Sequence, residues 1–432
     1  MKFSVAKFGG TSMADAHIIL KSAQVVAKKN EIRLCVISAT SGTTNQLLSM
    51  SEQAKSGKIP LHEFEQFEKR HTTISLGLES NPDIKDKIQQ SIKRVKELLE
   101  AFALLKQTPL SALDEIASQG EVISSYLFLS ALRHLKIPSH LVDAREIMKT
   151  SSDFGKAKPH LDLLKTLSQE KIAPLLKDAV IVTQGYIGSD LENRTTTLGK
   201  EGSDYSTALF AEALEASEVQ IWKDVPGIMT TDPRIVPEAK TLHFISFDEV
   251  SELTRFGAKV IHPDTFLPVI RQGIPIYVGY SQNPEVTGTK ITAMTEASSR
   301  VHALSLKKDV TLLSFKTNEP LEDFISLLPP FIHLSSSNQK FIFIFDKLNS
   351  PTKDQIKSLD KKGSCQMKTF DLIALVGPSL PYTDLLKDLS SYFENPRYIN
   401  YGTSETSMTF TVPSGEGENW IKKLHTHFIE KP

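Results

Sequence analysis

The sequence predicts an α/β protein: a large domain of three layers, with helices over both faces of a mostly parallel β-sheet, followed by a smaller α+β region. Short apolar runs alternate with longer helical patterns through the first two-thirds of the chain, as expected for strands joined by helical crossovers. Near residue 280 the pattern changes to a stretch rich in polar, Gly and Thr residues. The 432 residues, 40% hydrophobic and 23% charged, suffice for a sizeable core. At roughly 150 residues per domain they amount to about three domain-sized units, or to one large unit with small appendages.

Taken in order, the first strand ends at Lys7-Phe8, and Leu34-Cys35-Val36-Ile37 reads as a buried strand. Ile84, Ile88, Ile92, Val95, Leu98, Leu99, Phe102 and Leu105 recur at steps of three or four, which predicts a helix with one apolar stripe. Val122 to Leu132 reads as a very apolar helix, with Glu121 at its start. Strands follow at Ala179–Val182, Val219–Trp222 and Ile274–Val278, with a helix from Tyr205 to Ala216. Ser246-Phe247-Asp248-Glu249 has the spacing of a capping box opening a further helix. Residues 281–299 read as a linker. Beyond it, strands are expected at 303–306, 310–313, 341–345, 372–376 and 407–412, in two small sheets, with helices at Leu321–Leu328 and Tyr382–Phe393.

Several classes of function are disfavoured. The net charge is −1, without the basic excess that nucleic-acid binding requires. Cys35 and Cys365 are the only cysteines and lie far apart, so no disulfide framework is expected and a reducing compartment fits. No segment approaches the ~18 apolar residues of a membrane span, and the N-terminus lacks the features of a signal peptide. A soluble, cytoplasmic protein is expected. The chain contains neither Gly-x-x-x-x-Gly-Lys-Ser/Thr nor Gly-x-Gly-x-x-Gly, and His62-Glu63-Phe64-Glu65-Gln66 lacks the second histidine of a zinc-protease motif. The remaining histidines read as structural.

Lys7-Phe8-Gly9-Gly10-Thr11-Ser12, between the first strand and first helix, is the sharpest motif. Two glycines allow close backbone approach, a helix N-terminus favours an anion, and Lys7 adds positive charge. This favours phosphate binding over a simple tight turn. Ser38-Ala39-Thr40-Ser41-Gly42-Thr43-Thr44-Asn45 is a polar loop at the carboxyl end of a strand, where parallel sheets bind ligands. A helix cap explains it equally well. Glu121 would ordinarily interact with a helix dipole, the alternative being a partner for a substrate ammonium. Thr195 to Asp204 sets Lys200 between Gly199 and Gly202 and leads into a helix with Asp204 at its start. Lys223-Asp224-Val225-Pro226-Gly227, Thr230-Thr231-Asp232-Pro233-Arg234 and Phe256-Gly257-Ala258-Lys259-Val260 complete the set. Spacing alone does not bring them to one ligand.

In register over about residues 1–285, these blocks resemble aspartate kinases of the amino-acid-kinase family. The tail resembles the paired ACT modules, of ferredoxin-like α+β fold, that follow such domains; Ile399-Asn400-Tyr401-Gly402-Thr403-Ser404 contributes to that match. The resemblance implies a catalytic domain at 1–285 and a regulatory region of two ACT-like modules at 300–432. If the modules interleave, strands near 303–306 and 310–315 fall in different ones. The implied reaction is ATP-dependent phosphorylation of the L-aspartate β-carboxylate, the first step toward lysine (through diaminopimelate), threonine and methionine. Mg²⁺ would accompany ATP. A homodimer through the ACT-like region is implied, and no fused homoserine dehydrogenase is expected.

Carried over residue by residue, Lys7 and Asp204 are catalytic. Lys7, Gly9, Gly10, Lys223, Asp224, Met229, Arg234, Lys259 and Val260 bind ATP, and Ser38, Thr44, Glu121, Lys200, Gly202 and Ser203 bind aspartate. No protein metal ligand is implied. Three departures stand out. Lys200-Glu201 replaces the usual Arg-Gly, which predicts weaker aspartate binding because a lysine lacks the bidentate fork and Glu201 adds a negative charge. Met229 stands where a tyrosine is common, and Phe315 to Pro320 lacks a glycine-containing effector loop, so the effector is open. The competing readings are another enzyme of this fold, acting on glutamate, acetylglutamate, carbamate or UMP, and a non-catalytic amino-acid or nucleotide sensor.

Overall fold

The structure is a computed structural model that describes residues 2–258, 261, 263–293, 301–337, 339–390, 392, 398–401 and 404–430. In chain order the strands are β1 (Ser4–Phe8), β2 (Ile32–Ile37), β3 (Ser139–Leu141), β4 (Val180–Gln184), β5 (Ile187–Ser189), β6 (Thr195–Thr197), β7 (Glu218–Lys223), β8 (Phe244–Ser246), β9 (Ile276–Tyr280), β10 (Thr289–Thr292), β11 (Ala303–Lys316), β12 (His333–Ser337), β13 (Lys340–Phe345), β14 (Ser364–Val376), β15 (Ile399–Asn400) and β16 (Ser407–Pro413). The α-helices are α1 (Ala16–Lys28), α2 (Thr43–Ala54), α3 (Leu61–Gly77), α4 (Pro82–Leu105), α5 (Leu110–His134), α6 (Ala144–Ile147), α7 (Leu161–Lys171), α8 (Gly202–Ala213), α9 (Phe247–Arg255), α10 (Leu267–Arg271), α11 (Glu322–Ile325), α12 (Lys353–Asp360), α13 (Tyr382–Ser390) and α14 (Gly417–His425).

The chain forms two compact units, one of residues 1–228 and 262–293, the other of 229–261 and 294–432. Residues 229–261, which the sequence reading kept with the first domain, pack with the tail.

In the first unit the strand order is β3-β4-β2-β1-β7-β9-β10. Neighbours are parallel except for β10, which runs antiparallel to β9. Every residue of β1 is buried, as a parallel strand covered on both faces requires. Phe8, Phe67, Phe102, Phe128 and Trp222 fill the core, with the Phe8 and Phe128 rings 4.9 Å apart. The register matters for function: Phe8 lies opposite Ile37 on one side and Trp222 on the other. The residues that follow β1, β2 and β7 therefore emerge side by side at one edge.

Most expected elements are present, with informative differences. The stripe on α4 is buried from Ile84 to Phe102, but Leu105 is 59% exposed at the helix end. Helix α5 begins at Leu110, so Glu121 sits in its interior and not in a first turn. The polar run Ser118-Gln119-Gly120, which suggests a helix start just before Val122, lies inside α5. The expected linker contains β10, whose Ile291 is fully buried. The capping box of α9 forms as read, Ser246 Oγ accepting from the Glu249 amide at 3.2 Å while Glu249 Oε2 accepts from the Ser246 amide at 3.0 Å.

The second unit has a single antiparallel sheet, β12-β13-β11-β14-β16-β15, in place of two small ones. The runs at 303–306 and 310–313 are halves of one strand, β11, whose register against β14 shifts between Lys307 and Val310. Each half serves a different core. Leu304 packs with Ile373, Met408, Phe410, Leu385 and Leu424, whereas Leu313 and Phe315 pack with Phe324, Phe343, Phe345 and Leu359. The expected helix Leu321–Leu328 is shorter, and of Tyr382–Phe393 residues 382–390 are helical, while Phe393 lies outside the described residues.

Candidate functional site

A cleft of about 580 Å³ opens at the carboxyl edge of the first unit's sheet. Among the residues lining it are Lys7, Gly10, Ser38, Thr44, Glu121, Lys200, Gly202, Ser203 and Asp204, nine of those singled out in the sequence.

At one end stands Lys7, the fourth residue of β1. Its Nζ lies 2.8 Å from Asp204 Oδ1, and both side chains are nearly buried. Asp204 lies in the first turn of α8, where a carboxylate also complements the helix dipole. Lys223 ends the neighbouring strand β7. Burial lowers its pKa, the field of Asp204 raises it, and that of Lys7 lowers it, so the two lysines share one electrostatic environment. Asp224 beside it is exposed.

The Gly-Gly turn behaves differently from expectation in one respect. Gly10 opens a four-residue 3-10 turn, Gly10–Met13, and α1 starts later at Ala16 beneath an Asp15 cap. Gly9 lies against Lys7, and a Cβ on Gly10 would approach the Ala39 carbonyl oxygen to 3.2 Å. The absence of a side chain at Gly10 is what lets this turn pack on the Ser38–Asn45 loop. Ser12 anchors the turn from below, donating from Oγ to the Trp222 carbonyl at 3.0 Å.

The Ser38–Asn45 loop is organised by a residue the sequence reading passed over as structural. His71 on α3 is fully buried, and burial pushes its pKa down to about 4, which keeps it neutral. Its Nδ1 lies 2.8 Å from the Phe67 carbonyl and so must donate there. Nε2 is then an acceptor for the Thr40 hydroxyl at 3.0 Å, and Thr43 completes the chain at 2.5 Å from Thr40. No sequence spacing pairs Thr40 with His71, because the contact depends on how α3 packs.

Glu121 reaches into the same cleft from the middle of α5. Its side chain is 3% exposed, and Oε1 accepts the Ala39 amide at 3.2 Å. Oε2 is buried and has no hydrogen-bond partner in the structure. Burial raises the pKa to about 8, against the smaller opposing effect of the Ala39 bond. A cation placed against Oε2 would ionise the group and satisfy the orphaned oxygen.

The third wall comes from the β5–β6 hairpin and the turn into α8. Glu201 occupies the helix N-cap with φ of 59°, and Lys200 beside it is exposed. Gly202 is crowded, since a Cβ there would lie 2.8 Å from the Tyr186 ring. Asn45, the last residue of the Ser38–Asn45 loop, also lines the cleft, as do Tyr186, Gly155 and Leu48, which lie in no motif that would mark them.

Not all expected residues are gathered here. Met229 and Arg234 belong to the second unit, where Arg234 is 82% exposed and forks onto Asp232, Nη2 to Oδ2 at 2.6 Å. Lys259 and Val260 lie outside the described residues. The cleft thus joins a cationic end, suited to phosphoryl oxygens, to a buried carboxylate with one open oxygen, suited to an ammonium. Among the described residues no helix is long and apolar enough to cross a membrane.

The model of the amino acid kinase family matches residues 2–280. Over 99% of each chain the sequence is 35% identical to lysine-sensitive aspartokinase 3 of Escherichia coli. It is 32% identical to an aspartokinase of Chlamydia trachomatis over 98% of this chain and 97% of that one. The structure superimposes on that of Escherichia coli aspartokinase III in complex with aspartate and ADP with a TM-score of 0.82, at 34% identity, covering 98% and 99% of the two chains.

Proposed function

Since the chain belongs to the amino acid kinase family, and within it to the aspartokinases, we propose that its cleft transfers the γ-phosphoryl group of ATP to the β-carboxylate of L-aspartate. The observation that carries this reading is the pairing, in one cleft, of the Lys7–Asp204 ion pair with the open buried oxygen of Glu121. An amino diacid has both an ammonium for Glu121 and a carboxylate to direct at the phosphate.

The chemistry needs no general base, because the attacking carboxylate is already ionised at neutral pH. A carboxylate oxygen forms a bond to phosphorus as the bond from phosphorus to the β,γ-bridging oxygen breaks, giving 4-phospho-L-aspartate and ADP. Two anions must meet in line, so catalysis consists of alignment and charge neutralisation. Lys7 and the Gly9-Gly10 amides stabilise the phosphoryl group in transit, and Asp204 holds the Lys7 ammonium in place. Lys223 adds a second positive charge. For Asp224, Met229, Arg234, Lys259 and Val260 the nucleotide role rests on the resemblance of their motifs alone. Glu121 takes the substrate ammonium, while Ser38, Thr44, Lys200, Gly202 and Ser203 surround its carboxylates. Asp204 is already engaged by Lys7, so Mg²⁺ would enter with ATP, held chiefly through the nucleotide and water, and would supply neutralisation of phosphate charge.

We place the reaction in the cytoplasm, in line with two free cysteines. We further propose a homodimer through the second unit, whose sheet ends in the short strands β12 and β15. The deciding assay is ADP release with Mg-ATP and, in turn, L-aspartate, L-glutamate, acetylglutamate, carbamate and UMP. Turnover with aspartate is expected, and its loss in Lys7→Ala. Turnover with a different acceptor would reassign the enzyme, and turnover with none would favour a sensor.

A further inference from the structure

Helix α5 bears on the walls of the cleft at two points. Through Glu121 it accepts the amide of Ala39 in the Ser38–Asn45 wall. Two turns earlier, on the same face of the helix, it carries Asp114, which is 4% exposed and does not line the cleft. Asp114 Oδ2 accepts the Gly155 amide at 2.9 Å and the Thr197 amide at 2.8 Å, and Oδ1 accepts the Thr197 hydroxyl at 2.9 Å. The two segments so fastened form the opposite wall. Gly155 lines the cleft itself, and Thr197 ends β6 two residues before Gly199 and three before Lys200. Ala157 then donates to the Thr197 carbonyl at 2.9 Å, tying the segments to each other.

We propose that Asp114 is a positioning residue for the amino-acid acceptor: it fixes the wall bearing Lys200, Gly202 and Ser203 at a set distance from Glu121. The inference rests on the reading of the cleft as an aspartate site and deepens it. Both carboxylates ride on one rigid helix, about 10 Å apart along its axis at 1.5 Å per residue. The ammonium partner and the carboxylate partners of one small substrate are thereby held to a common ruler. Nothing in Asp114's contacts reaches Lys7 or Lys223, so its effect falls on the acceptor and not on the nucleotide. Asn at this position keeps all three bonds: its carbonyl accepts both amides, and its NH₂ donates to a Thr197 hydroxyl that turns to accept. Ala keeps none.

The test uses the full-length chain with Asp114→Ala, Asp114→Asn and Thr197→Val. In Asp114→Ala the aspartate KM should rise about tenfold while the ATP KM stays within about twofold; Asp114→Asn should restore the aspartate KM to near the wild-type value. Without any ligand, amide hydrogen exchange in Asp114→Ala should speed up at 153–157 and 195–203 and stay unchanged at 38–45. Unchanged exchange, an equal rise in both KM values, or an asparagine variant as impaired as the alanine variant would each overturn the proposal. Should the alanine variant not fold, Thr197→Val removes the Thr197 hydroxyl with its bonds to Asp114 and Tyr186; a rise of about threefold in aspartate KM that Tyr186→Phe does not reproduce supports the proposal, and no change, or the same rise in Tyr186→Phe, defeats it. If the wild type fails to turn over aspartate, the functional reading falls, and the exchange measurement still decides whether Asp114 holds that wall.

Discussion

Glu121 meets the aqueous ligand space with a carboxyl group that burial holds at a pKa near 8, and the consequences run in two directions. Binding an ammonium requires the ionised form, so kcat/KM for aspartate should climb about tenfold per pH unit below that value and level off above it. The ATP KM should not follow. In Glu121→Gln the climb should vanish and the aspartate KM should rise about 10- to 100-fold, the cost of losing a charged hydrogen-bond partner. A retained climb in the glutamine variant would assign the titration elsewhere. Stability moves the opposite way. The folded state keeps this proton to higher pH than the unfolded chain, so Glu121 lowers stability as pH rises from about 4.3 to about 8. Lys200 and Glu201 set a second residue-scale expectation. A lysine offers a point charge where an arginine offers a fork, and Glu201 brings a carboxylate to the rim of the same cleft. Lys200→Arg and Glu201→Gly should each lower the aspartate KM severalfold in steady-state assays with saturating ATP. Glycine also suits the left-handed backbone at position 201, where φ is 59°.

The elements differ in how far the sequence foretold them, for reasons visible in particular residues. Strands β1, β2, β4, β7 and β9 are short and buried on both faces, so composition alone marks them. Eight of the nine cleft-lining residues are recognisable because each lies in a motif that follows a strand or opens a helix; Glu121, in the interior of α5, is marked only by its place ahead of an apolar run. Asp114, His71 and Tyr186 were not, since their roles depend on contacts across the fold: Asp114 to Thr197 spans 83 positions. The start of α5 is hidden because Ser118-Gln119-Gly120 interrupts its apolar pattern, and the unity of β11 because Lys307-Lys308-Asp309 interrupts its apolar run. That interruption is built into the sheet. Asp309 adopts φ of 55°, and Asp371 on β14 accepts its amide at 3.0 Å, together with those of Gly415 and Gly417, both at 3.0 Å. Asp371→Ala would leave three amides without that partner in a site 2% exposed. A loss of about 2–4 kcal/mol in unfolding free energy is expected by denaturant titration, against little change for an exposed control such as Asp384→Ala.

At the scale of the molecule, the division of the chain matters more than its linear motifs suggest. The segment 229–261 lies between stretches of the first unit, yet its side chains complete the second. Val236 belongs to the core that holds Leu304, Phe410 and Leu424. Thr230 accepts the Leu304 amide at 2.7 Å through its carbonyl and pairs with the buried His425 at 2.9 Å through its hydroxyl. Glu249, the capping residue of α9, lies 2.6 Å from His302 Nδ1. A chain cut after residue 285, the boundary suggested by the motifs, would retain this segment and lose every one of those partners. Burying Val236 and Glu249 contributes to folding only when the tail is present. The fragment 1–285, which also lacks β10, should therefore show faster proteolysis at 229–261 and at the β9 edge that β10 covers, bind hydrophobic dye, and release no ADP with aspartate and Mg-ATP. Adding residues 286–432 as a separate polypeptide should restore protection of 229–261. Full protection and full turnover in the fragment alone would mean that the segment folds with the first unit after all.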